Sequence, residues 1–97
     1  MTRREQLTRY AEEHDLELIF FGPPEVFDPA ILGLVYGFGQ DPAVLYDEAL
    51  VMRGLTATGM DHHEAQEFFD YNTIGAGLGE ATPRFLMRME EDDGEQA

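Results

Sequence analysis

The chain has 97 residues, enough for one small hydrophobic core and no second. It has no cysteine, which excludes disulfides, thiolate nucleophiles and cysteine-ligated zinc, and no serine, which excludes serine-based acyl transfer. Twenty acids oppose six bases, all arginine, for a net charge of −14, so direct binding to nucleic acid or to an anionic membrane is disfavoured.

At 43% hydrophobic residues the chain is too apolar to stay unfolded, so it should form a core. Its first residues, Met1-Thr2-Arg3-Arg4, lead into a polar amphipathic stretch, unlike a secretory leader. No apolar run approaches the ~20 residues that span a bilayer. The expected setting is the cytoplasm. The expected organisation is a single α+β domain over residues 1–89, followed by an acidic disordered tail over 90–97.

Thr2 and Glu5 have capping-box spacing, and Leu7, Tyr10, Ala11 and His14 recur as one helical stripe, predicting a helix over 3–14. Residues 16–21, Leu-Glu-Leu-Ile-Phe-Phe, are rich in strand formers and stop at Gly22-Pro23-Pro24, predicting a strand. After a bend at Asp28-Pro29, residues 30–39 read as a second strand whose glycines mark a bulge or a close backbone approach. Gln40-Asp41-Pro42 reads as the turn of a hairpin into a short third strand over 43–46.

Asp47 can cap a helix in which Leu50, Val51, Gly54 and Leu55 share a face, ending at Thr58-Gly59. Asp61 and Glu64 repeat the capping spacing for a further helix. There Ala65, Phe68, Phe69 and Asn72 form the apolar-side stripe, while Glu64, Glu67 and Asp70 face water. Gly75, Gly77 and Gly79 end it. Thr82-Pro83 then opens a strand over 84–89 in which apolar Phe85, Met87 and Met89 alternate with Arg84 and Arg88, while Leu86 breaks the alternation as in a mostly buried strand. The predicted order is αβββααβ, a mainly antiparallel sheet with helices packed on one face.

Candidate chemistry is sparse. His63 and Glu67, at i and i+4, could hold two metal positions, and His62 or Asp61 could supply a third, but adjacent helical positions diverge by ~100°. Capping and dipole effects also account for acids and histidines at a helix start, so no cofactor is expected. His14, at the end of the first helix, has a structural reading. The glycines at 75, 77 and 79 close a helix, whereas a dinucleotide loop opens one, and Glu80 adds negative charge there. Tyr71, Asn72 and Thr73 gather polar groups beside those glycines; Asn72 reads as a buried clamp on the loop or as part of a small-ligand pocket.

The stretch from Glu67 to Phe85, and within it Tyr71-Asn72, Gly75-Ala76, Gly79-Glu80 and Thr82-Pro83, resembles a recurrent block in small, uncharacterised proteins of phages and bacterial mobile elements. The resemblance covers about residues 27–86, taking in Phe27-Asp28-Pro29-Ala30-Ile31-Leu32-Gly33 and Val44-Leu45-Tyr46-Asp47. One departure is Gly77, where that block carries a bulky aromatic. The resemblance implies no activity. It implies a setting of short accessory proteins that often inhibit host factors, acidic ones by imitating the charge of DNA.

The leading expectation is a non-enzymatic protein that binds a basic partner surface through Glu64, Glu67, Asp70, Tyr71, Asn72 and Glu80, with Glu12 and Glu13 adding charge. The partner would be a host nucleic-acid-binding defence complex such as a CRISPR effector. The alternatives are a salt-adapted cellular domain with a ligand pocket near Tyr71 and Asn72, and a metal-dependent enzyme using His62, His63 and Glu67. An exposed sheet edge leaves room for a homodimer.

Overall fold

Helical stripes, caps and one buried strand set the architecture seen in the computed structural model, which describes residues 1–74, 79 and 81–89. Helix α1 (Arg3–Glu13) is followed by a short α2 (Pro24–Phe27) and a 3₁₀ turn (Asp28–Ala30). Strands β1 (Ile31–Gly37) and β2 (Gln40–Asp47) form a hairpin. Helices α3 (Glu48–Ala57) and α4 (His62–Phe69), a π-helical turn (Asp70–Ile74) and β3 (Arg84–Leu86) complete the described chain. The sheet order is β1-β2-β3, antiparallel between the first two and parallel between the last two. The α+β class holds, but the sheet is mixed where a mainly antiparallel one was expected, because two helices intervene between β2 and β3 and return the chain in the same direction.

The capping signals are realised. Thr2 and Glu5 close the box at the start of α1, and Asp61 and Glu64 close it at α4. Asp47 accepts from the amides of Ala49 at 3.0 Å and Leu50 at 3.3 Å, so β2 passes into α3 with no intervening loop. β1 carries the bulge its glycine suggested, between Ile31 and Gly33. The hairpin turn sits at Phe38-Gly39, two residues before the expected one; Gly39 supplies the positive φ of 73° that the tight turn needs, and Gln40-Asp41-Pro42 belongs to β2.

The segment over 16–21 corrects the sequence reading, for it pairs with no strand among the described residues. Both edges of the sheet lie elsewhere, and the segment's apolar residues serve as a cover: Leu18, Phe20 and Phe21 pack against the core. Its backbone is tied at Phe21, whose N–H donates to the Tyr46 hydroxyl at 2.9 Å. β3 is also shorter than expected. Phe85 packs inward, but Met87 and Met89 lie beyond the ladder and are exposed.

The core gathers Val26, Phe27, Ala30 and Ile31 with Val44, Tyr46, Val51, Leu55, Ala65 and Phe69. β2 is its axis, since Ala43, Val44, Tyr46 and Asp47 are all buried. α3 approaches α2 closely at Gly54, where an added Cβ would lie 3.3 Å from the Val26 carbonyl oxygen. α1 is held by polar contacts: Arg3 donates to the Ile31 carbonyl at 3.2 Å, and Arg4 pairs with Asp28 at 3.1 Å beneath the Phe20 ring.

Asp47 is 3% exposed and accepts a 2.7 Å hydrogen bond from Arg88 Nε, which fastens the chain after β3 to the end of β2. That bond, helped by the Leu50 and Ala49 amides and opposed by burial, holds its carboxyl below the usual range. A lowered native value means the unfolded chain binds the proton more readily. Asp47 therefore stabilises fully above about pH 4 and loses its effect as pH falls through the native value. Asp47→Asn should cost about 1–3 kcal/mol at neutral pH, and the gap to the parent protein should narrow below about pH 4 in urea titrations. Tyr46→Phe strands the Phe21 amide and should cost about 1–2 kcal/mol of stability, read as a lower urea midpoint with an unchanged m value.

Candidate functional site

The acids singled out in the sequence converge on the water-facing side of α4. Glu64 is tied by its cap, accepting from Asp61 N at 3.0 Å while Asp61 Oδ1 accepts from Glu64 N at 2.8 Å. Glu67 lies 3.3 Å from His63 Nε2, both side chains largely in water, where such a contact contributes little. Asp70 accepts from Gln66 Nε2 at 3.0 Å. Tyr71 is 85% exposed, and Glu67, Asp70 and Tyr71 together line an open depression of about 540 Å³.

The π-helical turn over Asp70–Ile74 changes the expected register. Asn72 is exposed and Thr73 is buried, at 2%, although a continuous α-helix would carry Asn72 on the core stripe. The wider i→i+5 turn keeps Thr73 in line with Ala65 and Phe69 and swings Asn72 into water beside Tyr71. Asn72 is thus a surface group and not a buried clamp. Glu80, Gly75 and Gly77 lie outside the described residues.

The histidines do not converge. His63 faces Glu67, whereas His62 lies in a separate depression with Ala49, Met52, Arg53 and Thr56 on the α3 side. Among the described residues no group of three or more metal-ligating side chains is placed to hold an ion. His14 is exposed at the end of α1, its ring stacked on Tyr10 at 4.0 Å and its Nδ1 3.0 Å from the Tyr10 carbonyl oxygen.

Two features escaped the sequence reading. Asp15 and Glu17 share a cleft of about 250 Å³ with Asp41, from a distant segment of the chain, and with Leu16, Pro42 and Ala81. Tyr36 and Phe38, read as part of an apolar strand, stand in solvent at the tip of the hairpin. Only the position of the turn distinguishes these aromatics from core residues, and that was displaced by two.

The electrostatic balance of α4 follows from where the arginines go. The ion pairs that arginine makes among the described residues are Arg4 with Asp28 and Arg88 with Asp47, neither on α4. Its acids therefore stand without a guanidinium partner among the described residues. No protein-family model, curated protein or solved structure matches this chain, so the case for the site rests on its geometry. Because Asn72 is exposed, Asn72→Ala should change stability by no more than about 0.5 kcal/mol in chemical denaturation, where a buried clamp would cost several times more.

Proposed function

We propose that this protein acts by binding, docking the acidic face of α4 onto a basic partner surface of the kind that normally holds nucleic acid. The observation that carries the reading is the convergence of Glu67, Asp70 and Tyr71 on one exposed depression, with no arginine paired to them among the described residues. Glu64, Glu67 and Asp70 recur every third residue, about 4.5 Å apart along a helix axis. That approaches the density of phosphates on one DNA strand, one per about 3.4 Å. Tyr71 adds a ring of the type that anchors interfaces, and the exposed Asn72 extends the same face.

The partner class is a host nucleic-acid-binding defence complex, such as a CRISPR effector, met in the cytoplasm by a small accessory protein of a mobile element. Among the described residues no helix is long and apolar enough to cross a membrane. Charge of this sort speeds encounter and selects partners, and its effect weakens as salt rises.

The test is titration against a basic effector complex in competition with its nucleic acid. Affinity should fall at least about tenfold between 50 and 200 mM salt. Glu67→Arg with Asp70→Arg should weaken binding by about 10–100-fold at unchanged circular dichroism. Binding that ignores both salt and charge reversal refutes the reading.

A further inference from the structure

Residues 29–40 include no charged side chain, the longest such stretch in a chain of net charge −14. The stretch comprises β1 and the hairpin tip, and β1 is an outer strand of the sheet. Outer strands are normally guarded against pairing with another chain by charges, proline, bulges or a covering helix. β1 carries neither charge nor proline; its guards are the register shifts on either side of Gly33–Val35 and α1, which lies against it. Its first carbonyl, at Ile31, takes the Arg3 guanidinium, but the regular ladder of Gly33, Leu34 and Val35 turns its outer side to no other strand among the described residues. Leu34 and Val35 are half-exposed, and Tyr36 and Phe38 are exposed.

We propose that this edge pairs with the same edge of a second copy, β1 against β1, antiparallel about a two-fold axis at Leu34. Charge selects the occupant. Over most of the surface a second copy brings repulsion, but along residues 29–40 it meets none, while a basic partner finds there no acid to hold. In this register Tyr36 of each copy lies opposite the half-buried Leu32 of the other. Four rings, Tyr36 and Phe38 from each copy, would bury about 600–1,000 Å², much of the ~1,200 Å² at the lower end of specific interfaces. The pairing is independent of the α4 reading and leaves that face open. Phe69, at the end of α4, packs edge-on against Phe85 of β3, which is the opposite outer strand.

Sedimentation equilibrium up to about 100 µM should give twice the monomer mass of 11.0 kDa. Salt should strengthen the dimer by screening self-repulsion, the reverse of its effect on a basic partner. In a chain free of cysteine, Leu34→Cys should cross-link to itself under mild oxidation, since directly opposed residues lie within disulfide reach. Tyr36→Cys, about four residues out of register with its own copy, should not. Tyr36→Lys, at an exposed position that leaves the fold intact, should weaken the dimer about tenfold. A monomer at every concentration overturns the proposal, as does a dimer that Tyr36→Lys leaves unchanged. Cross-linking through Tyr36→Cys in place of Leu34→Cys overturns the register.

Discussion

The ring of Tyr46 is the point on which the rest of the structure is assembled. It meets Phe27 edge-on at 5.5 Å, Phe85 at 5.7 Å and Phe21 at 6.1 Å, while Phe69 reaches the group through Phe85 at 4.8 Å. Those rings come from α2, β3, the extended segment before α2, and α4. One buried side chain on the central strand thus collects elements from most of the chain length. A domain this small buries little surface, and aromatic rings supply much area per residue. Burial pushes the phenol above its ordinary range, so it stays a neutral hydroxyl that accepts from Phe21. The next residue, Asp47, starts α3 and holds Arg88. Adjacent residues at the end of β2, one apolar with a polar tip and one charged, organise both the core and its rim.

What the sequence revealed follows the range over which each signal acts. Caps depend on side chains two or three residues from the amides they serve, so Thr2, Asp47 and Asp61 were legible with no knowledge of the fold. The stripe of Val51 and Leu55 was legible for the same reason. Residues 16–21 were not, because strand formers record only that a segment is partly buried; whether a neighbour offers a ladder is decided by the rest of the chain. The acidic face of α4 was visible as helical spacing. The placement of Asn72 was not, since a single π-helical turn exchanges it with Thr73 and nothing in the local composition announces that turn.

The arginines explain why the acidic surface is left uncompensated. Arg3 and Arg4 fix α1 to the turn before β1 and to β1 itself, Arg84 donates to Gln40, and Arg88 is fastened to Asp47. Four of the six bases are therefore engaged in holding segments together, each at a junction that apolar packing covers incompletely. With no lysine in the chain, few cations remain for the helix faces.

That division gives the charge a physical consequence. Carboxylates fixed on α4, and those gathered from Asp15, Glu17 and Asp41, repel one another at separations set by the scaffold. The folded state carries this repulsion because the aromatic core outweighs it. A cationic surface brought against α4 would relieve it without any rearrangement of backbone, since the acids already stand in place and several are held by short local bonds. Preorganisation of this kind lowers the cost of association, as little side-chain freedom remains to be lost. The uncharged β1 is the outer strand opposite β3, on whose Phe85 the end of α4 packs through Phe69, so the uncharged and the acidic surfaces fall on different parts of the molecule.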